Sequence, residues 1–123
     1  MERGFNHHNL NNLLWVWSPN APAEPYENYF HGLEYVDILA ADIYHNNYKQ
    51  SNYGDLLKIS GGKPIALGEV GDVPTSEILD KQPRWVWFMT WSGFEGISPE
   101  VLRKLYNDPR TLILDDVKIS YKL

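Results

Sequence analysis

The 123-residue chain has no cysteine, so it carries neither a disulfide nor a thiolate metal site, and its redox compartment stays open. Long hydrophobic runs are missing as well: none approaches the roughly 18 apolar residues of a membrane span. Nor is there a basic stripe. Its 11 Lys and Arg are outnumbered by 16 Asp and Glu, for a formal charge of −5, and they are scattered, which argues against a nucleic-acid surface. Met1-Glu2-Arg3-Gly4 leads into polar Asn and His, without the pattern of a signal peptide. No phosphate-cradling glycine loop is expected, because Gly61-Gly62 precedes a strand-like run rather than a helix. Low-complexity segments and strong internal repeats are absent too.

What is abundant is aromatic surface, 14% of the chain with 5 Trp and 8 Tyr. Indole and phenol rings offer flat apolar faces with a polar handle. Such faces suit sugar rings, and they suit protein cores equally well. Four apolar runs organise the sequence: Leu13 to Trp17, Val36 to Tyr44, Pro64 to Val70 and Trp85 to Trp91. Most are continuously apolar, the pattern of strands covered on both faces. Polar, turn-rich stretches follow each one. Helices are predicted around Leu56 to Ile59, over Thr75 to Lys81 and over Pro99 to Tyr106, with Ser98 as N-cap and Pro99 in the first turn. A short helix is expected within Tyr26 to Glu34, and Thr111 to Val117 is read as an extra strand or an extended tail. Strand, loop and helix repeated about four times predict an α/β fold with a parallel sheet, all in one domain.

Glu69 raises the functional question. A carboxylate beside Ile65, Ala66, Leu67 and Val70 is costly to desolvate unless partners stabilise it. It is either a structural ion-pair member or a group at the mouth of a cleft. Asp42, Tyr44 and Trp91, with Ser18 and Asn20, also fall near the C-terminal ends of their predicted strands, the edge where parallel α/β folds build their sites. That coincidence favours the cleft.

Five stretches, NNLLWVWSPN (11–20), EYVDILAADIY (34–44), KPIALGEVG (63–71), WVWFMTW (85–91) and LYNDPRTLILDDV (105–117), resemble glycoside hydrolase family 26, a group dominated by endo-β-mannanases on a (β/α)8 barrel. The resemblance implies half of a TIM-type barrel, similar to its strands five to eight. It implies Glu69 as the nucleophile, Asp42 and Tyr44 as its support, Trp91 as the aromatic floor under the sugar, and β-mannan as substrate, with no cofactor. His45 is a candidate subsite residue beside Tyr44. The family's general acid/base, usually in a His-Glu pair ending strand four, is expected to lie before this chain; Glu2, His7 and His8 are not promoted to replace it. The chain alone is then expected to show little or no mannanase activity. Its partner would be the missing N-terminal half of the barrel or a second copy. A carbohydrate-binding or assembly module, and a barrel hydrolase for xylan or mixed-linkage glucan, are the alternatives.

The four histidines lack metal-ligand spacing, so zinc is not expected. Trp15, Trp17, Trp85 and Trp87 are assigned to packing, one of each pair toward the barrel interior and the other toward the helices. Asp37 is expected to start a strand, and Asp115-Asp116 to lie in a surface turn.

Overall fold

The computed structural model describes residues 12–21, 25–45, 47–91 and 97–117. Four parallel strands run side by side in chain order: β1 (Val16–Trp17), β2 (Ile38–Ile43), β3 (Ile65–Val70) and β4 (Trp85–Thr90). Helix α1 (Gln50–Ile59) connects β2 to β3, α2 (Ser76–Lys81) connects β3 to β4, and α3 (Pro99–Tyr106) follows β4. This is the predicted α/β repeat, because parallel neighbours need a crossover and the crossovers here are helices. Between β1 and β2 the chain makes two 3-10 turns, Tyr26–Asn28 and Leu33–Tyr35, instead of one helix. Gly32, at φ +114°, stands between them, a backbone angle that no helix continues through.

The helix starts follow their local chemistry. Ser98 Oγ accepts the Glu100 N–H at 3.3 Å and Pro99 opens α3, while Thr75 Oγ1 accepts the Ile78 N–H at 3.3 Å and opens α2. Helix α1 buries Asn52, Tyr53 and Leu56, one stripe at helical spacing, and ends at Gly61, whose left-handed φ of +58° suits a residue without a β-carbon.

Most of the core lies on the helix side of the sheet. Leu39, Ala41, Ile43, Ile65, Leu67 and Val70 project there against Tyr26, Tyr53 and Leu56, with Trp17, Trp85 and Phe88 at the margin. Trp17 meets Phe30 at 4.9 Å between ring centroids, and Trp85 meets Tyr53 edge-on at 5.2 Å. On the opposite face Ile38, Ala40 and Ala66 make a smaller cluster. Val16, Val86, Trp87 and Met89 on the two outer strands stay exposed, so the outer strands are less covered than their apolar sequences predict.

Polar ties close the rest. Asp37 precedes β2, and its carboxylate accepts the Trp15 N–H at 2.8 Å, fastening β1 to β2. Lys63 Nζ donates to the carbonyls of Leu33 and Val36 at 2.6 and 2.5 Å. Buried Asp108 accepts a forked pair from Arg110 at 2.8 and 2.7 Å and the Ser76 hydroxyl at 2.9 Å, and Arg110 continues to Asp80 at 2.6 Å. This network locks the segment after α3 onto α2. Thr111 to Val117 forms no strand; it ends in a 3-10 turn, Leu114–Asp116, in which Asp116 accepts the Ile113 N–H at 3.0 Å.

Candidate active site

Plain alternation along β3 would aim Glu69 the same way as Leu67, into the helix-side core. The strand avoids this with one extra residue. Ala41 pairs with Leu67 and the next residue, Asp42, pairs with Glu69, so Gly68 is the additional residue of a β-bulge. Beyond it Val70 returns to the helix-side core, fully buried, while Glu69 is only partly buried. The glycine is sterically required. A β-carbon on Gly68 would lie 1.9 Å from Ser18 Oγ and 2.7 Å from Asp42 Oδ1.

Three side chains from three strand ends then meet. The Tyr44 hydroxyl donates to Glu69 Oε2 at 2.5 Å, and Trp91 Nε1 reaches Tyr44 Oη at 3.0 Å and Glu69 Oε2 at 3.3 Å. Half of the Trp91 surface is open to solvent. Tyr44 lies close against Gly71, where a β-carbon would stand 2.9 Å from Tyr44 Cδ1. One strand away, Asp42 Oδ1 accepts the Ser18 hydroxyl at 2.6 Å, and the carboxylate lies near the Glu69 backbone N–H. The Asp42 backbone is held on both sides, its N–H on Pro19 O at 2.9 Å and its carbonyl on the Ala21 N–H at 2.8 Å.

The electrostatics follow from these contacts. Burial pushes the Asp42 carboxyl above its ordinary value; Ser18 pulls it back, the neighbouring Glu69 charge pushes it up again, and the Glu69 N–H opposes. The Tyr44 hydroxyl is held above its ordinary value, foremost because it donates to Glu69 and would lose that bond on ionising.

Of the residues singled out from the sequence, Asp42, Tyr44, Glu69 and Trp91 gather at one end of the sheet. His45 follows Tyr44 into the turn, exposed, at a left-handed φ of +57° unusual for a residue with a β-carbon. The side-chain partners of Glu69 among the described residues are Tyr44 and Trp91, and His45 is not one of them. Glu2, His7 and His8 lie outside the described residues. Among the described residues no group of three or more His, Asp or Glu is placed to hold a metal ion, and no helix is long and apolar enough to cross a membrane. The sequence reading missed Gly68 and the bond of Ser18 to Asp42. A lone glycine inside a strand pattern is the signal that could have exposed the first.

A groove of about 500 Å³ lies elsewhere, between β4, α2 and the segment after α3, lined by Leu79, Trp85, Phe88, Tyr106 and Leu112. It contains none of Asp42, Tyr44, Glu69 and Trp91. Groove volume and polar convergence thus fall in different places, and the convergence of donors on one carboxylate makes the strand-end cluster the candidate site.

Comparison with known proteins supplies the context. The family described as Glycosyl hydrolase family 26 matches residues 1–116. A mannan endo-1,4-beta-mannosidase of Thermothelomyces thermophilus is 35% identical over 126 residues, covering 95% of this chain and 25% of that protein. One from Bacillus subtilis is 32% identical over 117 residues, covering 84% of this chain and 31% of its own length. The solved structure of GH26A from Muricauda sp. superimposes with a TM-score of 0.88 at 44% identity, over 94% of this chain and 40% of that one. The four strands and their helices thus correspond to part of a TIM barrel. The chain spans less than half the length of each of these relatives.

Proposed function

Because the chain belongs to glycosyl hydrolase family 26, we propose that it carries the nucleophile side of a retaining β-mannanase site. Glu69 is the attacking carboxylate. The observation that carries this reading is the convergence of Tyr44 Oη and Trp91 Nε1 on a single oxygen, Glu69 Oε2. Two donors fix that oxygen and with it the plane of the carboxylate, which leaves Oε1 as the atom that bonds to the anomeric carbon while the leaving oxygen departs on the opposite face. The half-exposed indole of Trp91 provides the floor for the sugar ring, and His45, next along the loop, lines a neighbouring subsite.

Retention requires a second carboxyl about 5–5.5 Å from the first to protonate the leaving oxygen and then activate water. Asp42 is the near neighbour of Glu69, but it is committed to the Ser18 hydroxyl and serves as support. The acid/base is therefore assigned to the remainder of the barrel, in keeping with the 25 to 40% of its relatives that this chain covers. General acid catalysis typically contributes about 10²–10⁴-fold, so this chain by itself turns over little or no mannan.

The test is complementation. Adding the other half of a family barrel to the purified chain is expected to restore release of manno-oligosaccharides from β-mannan, and Glu69→Ala is expected to abolish it. Saturable manno-oligosaccharide binding with no hydrolysis under any such combination would instead identify a carbohydrate-binding module. Faster hydrolysis of xylan or mixed-linkage glucan than of mannan would move the substrate assignment.

A further inference from the structure

We infer that Ser18 and Gly68, acting through Asp42, are positioning residues that hold the β3 bulge and thereby aim Glu69 at the mouth of the sheet. The inference rests on the assignment of Glu69 as the attacking carboxylate for its importance, but its geometry stands independently.

The bulge is what separates an active carboxylate from a misdirected one. Without the extra residue between Leu67 and Glu69, Glu69 would share the side occupied by Leu67, which is fully buried under the helices. A bulge breaks ladder hydrogen bonding locally, so something else has to fix it. Here a bracket crosses three strands. Ser18, just past β1, donates to Asp42 Oδ1 at 2.6 Å; Asp42, in β2, pairs in register with Glu69, the residue that follows the bulge in β3, and its carboxylate lies near that residue's backbone N–H. The space needed for this bracket is the space a side chain on Gly68 would fill, since Ser18 Oγ stands 1.9 Å from where its β-carbon would be. The Ser18 hydroxyl is itself set in place because the next residue, Pro19, accepts the Asp42 N–H at 2.9 Å and Ala21 donates to the Asp42 carbonyl at 2.8 Å. Three features that look unrelated in sequence, a serine, an aspartate and a glycine, form one device. The Ser18 hydroxyl donates to Asp42, while the side-chain partners of Glu69 among the described residues are Tyr44 and Trp91, so the influence of Ser18 on the carboxylate passes through Asp42 and the β3 backbone.

The Trp91 indole N–H is a built-in reporter, because it donates to both Glu69 Oε2 and Tyr44 Oη. In nitrogen–proton correlation spectra of the full chain, Glu69→Gln first establishes that the Trp91 indole resonance responds to this carboxylate. Ser18→Ala is then expected to displace the same resonance by more than a linewidth while the melting temperature changes little, and Ser18→Thr, which keeps a hydroxyl, to bring it back. Gly68→Ala is expected to displace the resonance and also lower the melting temperature. Combining Gly68→Ala with Ser18→Ala relieves the clash with Oγ and recovers part of that loss, yet leaves the resonance displaced. A Trp91 resonance unmoved by Ser18→Ala, or one that Ser18→Thr fails to restore, overturns the inference. If Glu69 is not the nucleophile, that failure appears elsewhere, as absence of a covalent sugar adduct, with the indole response to Ser18 intact.

Discussion

Replacing Trp91 by alanine or by phenylalanine separates the two tasks assigned to its indole. A tryptophan buries up to about 250 Å² in a full contact, and half of Trp91 is exposed, leaving roughly 100 Å² for a ligand. A sugar ring stacked on one face would cover roughly 60–80 Å² of that, worth about 1.5–2 kcal/mol at about 25 cal/mol per Å². Trp91→Ala is therefore expected to weaken manno-oligosaccharide binding about 10- to 30-fold. Trp91→Phe keeps an aromatic face but gives up part of the ring area together with the N–H, whose bonds at 3.0 and 3.3 Å are partly exposed, so its loss is expected to stay within about fivefold. Isothermal titration of mannotriose through mannohexaose against the three proteins reads both numbers. An affinity unchanged in Trp91→Ala would refute the stacking floor. An equal loss in both variants would show that the indole N–H, and not the ring face, carries the interaction.

Three further outcomes are expected. Tyr44→Phe keeps the ring against Gly71 but frees the Glu69 carboxylate to rotate, and misplacement of a reacting group on this scale is expected to slow formation of the glycosyl-enzyme from an activated aryl mannoside by roughly 10- to 100-fold; a wild-type rate would show that Tyr44 does not orient it. Tyr26 is fully buried and its hydroxyl has no partner among the described residues, so Tyr26→Phe is expected to leave stability unchanged or raise it by about 1 kcal/mol, whereas a clear loss in a denaturant titration would reveal a partner. The Arg110 side chain and backbone, with Ser76, hold the Asp108 carboxyl well below the usual carboxylate range. A lowered folded-state value contributes stability that is complete above the unfolded value of about 3.9 and is lost as the pH falls below it toward the folded one. Asp108→Asn is accordingly expected to melt lower than wild type at neutral pH, with the gap closing as the pH drops below about 4; a gap independent of pH would contradict the pairing.

The strands were legible because burial on both faces writes a continuous apolar run, as in Ile38–Ala41 and Ile65–Leu67, and the start of α3 was legible because Ser98 and Pro99 each have one dominant use at a helix start. The candidate site was visible as polar residues at strand ends, since parallel pairing brings those ends together whatever the loop lengths. Other features depend on tertiary partners that no local pattern encodes. The bulge at Gly68 exists only relative to the register of β2, and Ser18 gains its meaning only from an aspartate 24 residues away. Tyr26 to Glu34 carries enough helix-compatible residues to predict one helix, yet Gly32 divides it into two short turns. Thr111 to Val117 has the composition of a strand, but the Asp108–Arg110 network docks the preceding segment on α2, and the run closes as a 3-10 turn.

The most direct measurement uses a fluorinated β-mannoside with a dinitrophenolate leaving group. Such a leaving group departs without protonation, so no general acid is needed, and the fluorine slows hydrolysis of the covalent product. Peptide mapping by mass spectrometry after incubation is expected to find one mannosyl unit esterified to Glu69, and none in Glu69→Gln. An adduct on Asp42, or dinitrophenolate release at the rate of buffer alone, would contradict the assignment.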